Sequence, residues 1–196
     1  MRNYCKIVLG IALLLTACKE KKEDKKGAKK YISIPSIIEK QVAHIDTSLY
    51  SIVKITGADS LHLDTTYVNR ADFRKEAAPF LEITDLSNPD NAARFNEEST
   101  YDTLIKRIIF TYTPVKPEKE EIQKQQLLVS QDIDSEGNNK VKTIIIEKVK
   151  KNRDGALSQH LLWRMDKSFL ITTTTQKPGE PEVITVTRVT WNEENY

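Results

Sequence analysis

The stretch LSQHLLWRM, Leu157 to Met165, decides how the second half of this chain is read. Leu157, Leu161, Trp163 and Met165 fall on one side of an extended chain, with His160, Leu162 and Arg164 on the other. A period of two marks a β-strand with one packed face. Only Asp166-Lys167 separates it from a second run, 169–176, where Phe169 and Ile171 line up with Thr173 and Thr175. So short a connection joins antiparallel neighbours, because a parallel crossover needs a dozen residues or more.

The same pattern extends outward. Strands are predicted over 93–100, 104–113, 122–133, 140–151 and 182–191, separated by Pro114 to Pro117, Asp134 to Asn138, Asn152 to Gly155 and Lys177 to Pro181. In 104–113, Ile108, Phe110 and Tyr112 share a face opposed by Arg107 and Thr111. In 140–151, Lys142 and Lys148 stand on the side of Ile144 and Ile146, so polar and apolar sides are incompletely separated there. Upstream the period changes. Ile38, Val42, Ile45, Leu49 and Ile52 recur at steps of four and three, Ser36 and Glu39 have capping-box spacing, and Gly57 is a plausible stop. This predicts an amphipathic helix over 36–55. A shorter helix is predicted from Asn69 to Ala78, with Phe73 and Ala77 on one face and Pro79 ending it. Asn88-Pro89-Asp90-Asn91 reads as a turn or short helical turn. The expected fold class is α+β: an antiparallel meander of about six or seven strands, covered on one face by the two helices. No repeat of 20–50 residues is present.

Charge is unevenly placed along the 196 residues. Residues 19–30 hold seven Lys against three acids, whereas 31–196 hold 21 basic and 25 acidic groups. A mildly acidic domain on a basic strap has the opposite balance to a nucleic-acid-binding domain, so no nucleic-acid partner is expected.

The N-terminus says where the chain belongs. MRNYCK supplies a positive start and Ile7 to Leu15 a nine-residue apolar run. That is too short to span a bilayer, which takes about 20 residues, and fits a signal-peptide core. Leu15-Thr16-Ala17-Cys18 follows, and it resembles the bacterial lipobox. The resemblance implies cleavage after Ala17, acylation of Cys18 and a mature protein beginning there. It divides the chain into a signal peptide, 1–17, a lipidated Cys and Lys-rich tether, 18–30, and one domain, 31–196. The implied mature chain has no free thiol, since Cys5 departs with the signal peptide. Disulfides, Cys-zinc sites and cysteine nucleophiles are excluded together. Two or more acyl chains retain a protein stably at about 0.8 kcal/mol per buried methylene. The tether, with nothing apolar larger than Ala28, cannot bury anything. It reaches roughly 40 Å fully extended and about 20 Å as a flexible coil. Lys19-Glu20-Lys21-Lys22-Glu23-Asp24 resembles the surface-export signal of Bacteroidota lipoproteins, although lysines interrupt its acids. The chain is thus similar to Bacteroidota-type lipoproteins, which implies an outer-membrane anchor with the domain facing the periplasm or the cell surface.

Catalytic patterns are sparse. His44 and Asp46 point apart on a helix, His62 and Asp64 share a strand face, and His160 lies opposite Trp163. Gaps of 18 and 98 residues between histidines match no metal motif, so no metal and no cofactor is expected. Glu97-Glu98, Glu120-Glu121 and Glu193-Glu194 are adjacent pairs that face opposite ways on strands. Asp132-Ile133-Asp134-Ser135-Glu136-Gly137 begins like a calcium loop, but Thr143 stands where an EF-hand needs Glu, so a hairpin is expected. No Gly-x-Ser-x-Gly and no phosphate-cradling glycine loop occurs. Tyr101, Tyr112, Trp163 and Trp191 are core or sheet-edge residues that, interleaved with Lys and Arg, can form a binding face. Tyr112, Trp163 and Trp191 are the candidate ligand-binding residues. The leading expectation is a non-enzymatic, envelope-anchored binding or assembly module with an envelope protein as partner. The alternatives are a carrier of an apolar ligand or lipid in a sheet–helix pocket, and a hydrolase with a dispersed site at His62 and Asp64.

Overall fold

The computed structural model describes residues 31–58, 62–133 and 139–192. They form α1 (Ile34–Thr47), β1 (Val53–Gly57), β2 (Leu63–Tyr67), α2 (Phe73–Glu76), α3 (Ala78–Leu81) and α4 (Pro89–Ala92). Then come β3 (Phe95–Asp102), β4 (Arg107–Pro114), β5 (Ile122–Ile133), β6 (Asn139–Asn152), β7 (Gly155–Arg164), β8 (Ser168–Gln176) and β9 (Val183–Thr190). Single turns of 3-10 helix lie at Arg70–Asp72 and Pro117–Lys119.

The seven consecutive strands β3 to β9 make the expected meander, each antiparallel to the next. The sheet is wider than expected: nine strands among the described residues, in the order β2-β1-β9-β8-β7-β6-β5-β4-β3. The additional pair is the β1–β2 hairpin, which docks antiparallel on β9. The sheet is open, with β2 and β3 at its edges.

The helix predicted over 36–55 is shorter and begins earlier. Its N-cap is Ser33, not Ser36: the Ser33 hydroxyl accepts from the Ser36 N–H at 3.3 Å. Pro35, which needs no N–H partner, fits the first turn. The helix stops at Thr47 because Ser48 turns extended (ψ 169°), its N–H and hydroxyl both donating to the Ile45 carbonyl at 3.0 and 2.9 Å. Ile38, Val42 and Ile45 form the buried stripe as predicted, whereas Leu49 is 96% exposed and Ile52 is buried from outside the helix. The helix predicted over 69–78 is broken into the 3-10 turn, α2 and α3. Pro79 sits in the first turn of α3 instead of ending the segment.

All these helices cover one face of the sheet. Phe73 and Phe80 insert into an aromatic cluster with Trp163, Phe169 and Trp191. Phe80 meets Trp163 edge-on at 5.0 Å, Phe73 meets Trp191 edge-on at 5.2 Å, and Trp163 stacks on Phe169 at 5.2 Å. Such pairs contribute about 0.5–1.5 kcal/mol beyond the area they bury. Arg74 grips Glu39 with two bonds of 2.9 and 2.6 Å, joining α2 to α1, and Lys54 Nζ meets Glu76 at 2.9 Å, joining β1 to α2.

Candidate functional site

The core does not close at every edge. Where the N-terminal part of α1 lies over β4, β5 and β6, it opens into a cleft of about 1030 Å³. Ile32, Ile37, Phe110, Val129, Val141 and Met165 supply apolar wall. Arg107, Lys140, Lys142 and Lys167 supply cations, and Asn139 and Asp166 complete the lining.

The sheet register explains the lysine among these aliphatics. Leu128 stands opposite Thr143, but Val129 stands opposite Val141, so Lys142 is one residue too many on β6. This β-bulge bends the strand and re-aims its side chain, a device common beside functional sites. Lys142 lines the cleft, with Asp132 Oδ2 at 3.7 Å from its Nζ. The lone carboxylate of the lining, Asp166, is held by Gln41: Gln41 Nε2 donates to Asp166 Oδ1 at 2.9 Å. The cleft is therefore an apolar trough with a cationic rim, suited to an apolar body carrying an anionic group.

A second cavity, about 550 Å³, lies at the opposite end, between the Pro117–Lys119 turn and β6. Its charges are of both signs, and three of them are paired: Lys150 lies 3.5 Å from Glu121, and Glu120 pairs with Arg94.

The predicted ligand-binding residues lie elsewhere. Trp163 and Trp191 come together, ring centroids 5.4 Å apart, inside the aromatic cluster. Tyr112 packs on Tyr31 at 5.2 Å. Burial pushes the Tyr112 phenol up from its ordinary pKa, with the neighbouring Glu97 carboxylate adding to the shift. All three are buried core residues, and none lines the cleft. Phe110, Arg107 and Lys142 do. The misplaced lysine beside Ile144 and Ile146 was the sequence signal for this site.

The histidines are not brought together. His44 is on α1 with its ring 6.3 Å from Tyr50, His160 is on the sheet face away from the helices, and His62 precedes β2 at the sheet edge. Four strand positions separate β2 from β7, roughly 19 Å at the usual spacing. His62 lies in a bend outside the strand, so it shares no strand face with Asp64. Among the described residues no group of three His, Cys, Asp or Glu side chains could hold a metal, and no helix is long and apolar enough to cross a membrane. Cys18 and most of the calcium-like loop, 134–138, lie outside the described residues. No protein-family model, curated protein or solved structure matches the chain.

Proposed function

We propose that this protein is a non-enzymatic binding module of the cell envelope, held to the outer membrane by acylated Cys18, and that its cleft takes an amphiphile. The ligand class is an acyl chain ending in a carboxylate or phosphate. The observation that carries the reading is the bulge at Lys142, which puts a lysine in the lining of the same cleft as Phe110, Val129 and Val141. A cation there offers an acidic head a charge-assisted bond beside an apolar trough.

The test is titration of the detergent-extracted, full-length protein with a fluorescent long-chain carboxylate, alongside native mass spectrometry of what copurifies. Saturable binding is expected, lost in Val141→Trp, which fills the trough, and weakened at least tenfold in Lys142→Glu. A parent protein that neither carries nor binds an amphiphile overturns the reading. The anchor is tested separately: palmitate labelling should disappear in Cys18→Ser.

A protein partner is favoured by one other observation. On the sheet face away from the helices, Ile109, Leu128, Ile145, Leu162 and Leu170 run across five neighbouring strands, all partly exposed. Contiguous apolar surface of this kind marks interaction sites. Crosslinking from a photoreactive residue at Leu162 separates this reading from the first.

A further inference from the structure

Three connections share the end of the sheet at which the cleft opens: β3–β4, β5–β6 and β7–β8. The first presents Leu104 and Ile105, 92% and 48% exposed, followed by Lys106 and Arg107. Asp102 Oδ1 accepts the backbone N–H groups of both Leu104 and Ile105, at 2.9 and 3.2 Å, so the turn that lifts these side chains is pinned by its own acid. Lys106 then takes a left-handed backbone, φ 52°, closing the tip. At the same end Ile133 is 64% exposed, Lys140 stands at the start of β6, and Lys167 stands on the β7–β8 connection.

Two apolar side chains at a hairpin tip, with cations directly behind, match a bilayer surface. The aliphatics enter the acyl boundary while the basic groups stay among anionic headgroups. Tyr31 lies against Tyr112, five residues along β4 from Arg107, or roughly 16 Å. Segment 18–30 precedes Tyr31 in the sequence. Its lysines carry the same sign as the tip.

We propose that this end of the sheet is a membrane-contacting surface, with Leu104 and Ile105 immersed in a bilayer rich in anionic lipid. The cleft mouth then faces the lipid. The surface is a separate claim from acylation of Cys18, and its test reads immersion of the tip, not retention of the protein.

The full-length lipoprotein is reconstituted on vesicles of phosphatidylcholine with phosphatidylglycerol. An environment-sensitive fluorophore is attached at Leu104→Cys or, at the opposite end of the sheet, at Val183→Cys. Both positions are exposed, and circular dichroism confirms that each variant folds. The probe at 104 is expected to shift to the blue and to resist iodide quenching, less so in high salt or on phosphatidylcholine alone. The probe at 183 is expected to stay in water. A water-exposed probe at 104, or equal immersion of both probes, overturns the proposal. Label on the parent protein would count against acylation of Cys18, and the Leu104 signal above that background would still decide the tip.

Discussion

Gln41 and Asp166, 125 residues apart, hold each other at two points. The Gln41 amide donates to Asp166 Oδ1 at 2.9 Å, and the Asp166 N–H donates to Gln41 Oε1 at 2.9 Å. The pair ties α1 to the β7–β8 turn at the rim of the cleft, and Asp166 pays for it with a left-handed backbone, φ 59°. Gln41→Leu removes both bonds from an exposed position and should lower stability by about 1 kcal/mol, read as a lower urea midpoint at unchanged slope. Asp166→Gly keeps the bond from the turn N–H and relieves the φ, so it should cost less. A larger loss for Asp166→Gly would show that the carboxylate, not the backbone bond, carries the clasp.

The strands were legible where a strand had one buried face. β5 spans 122–133 as predicted, with Ile122, Leu127 and Val129 buried along it, although a register shift between Ile122 and Lys124 interrupts its alternation. β7 and β8 also follow their alternation closely. The β1–β2 hairpin was not legible. All five residues of β2 are exposed, so no buried face imprints a period, and Ile52 continues the helical spacing by coincidence. What stops α1 is the local bonding of Ser48, which competes with the helix and leaves no apolar trace. The cleft was half legible: Lys142 on the apolar side of its strand was visible, but the bulge that aims it depends on pairing with β5.

The aromatic cluster should dominate stability. Phe73 is fully buried and meets Trp163, Phe169 and Trp191 at 6.3, 6.1 and 5.2 Å. Phe73→Ala should cost about 3–5 kcal/mol. The indole N–H groups of Trp163 and Trp191 are buried with no hydrogen-bond partner among the described residues. Trp191→Phe therefore forfeits no hydrogen bond and should cost well below Phe73→Ala in the same urea series. If the two cost the same, the Trp191 N–H is bonded, most simply through a buried water.

Alkaline pH should destabilise the fold through Tyr112. Burial, then Glu97 and Tyr31, raise its pKa above the ordinary 10.0. Above that value the unfolded chain loses the phenolic proton and the native protein keeps it. The stability of the neutral phenol is thus complete below about pH 10 and falls as pH rises toward the raised value. Tyr112→Phe should flatten the dependence of the urea midpoint between about pH 9.5 and 11.5. At the acid side the sign reverses. The Arg74 bond lowers the Glu39 pKa, so that contribution is present above about 4.5 and is lost as pH falls through the depressed value.

Gly155 and Gly179 should respond unequally to alanine, although both have positive φ, 143° and 77°. At Gly155, the first residue of β7, a Cβ would collide with the carbonyl oxygen of Gln176 on β8, which is backbone and cannot swing aside. Its φ also lies in a region that side chains avoid. Gly155→Ala must push β7 from β8 where Ala156 pairs with Gln176, and should cost about 2–4 kcal/mol. At Gly179, in the turn before β9, nothing lies within 4 Å of a Cβ, leaving only the left-handed φ, which costs about 1 kcal/mol for alanine and less for asparagine. Thermal midpoints of Gly155→Ala, Gly179→Ala and Gly179→Asn should therefore rise in that order. A tolerated Gly155→Ala would mean that β7 and β8 part at this end, and the register between them would need to be redrawn from Leu157 onward.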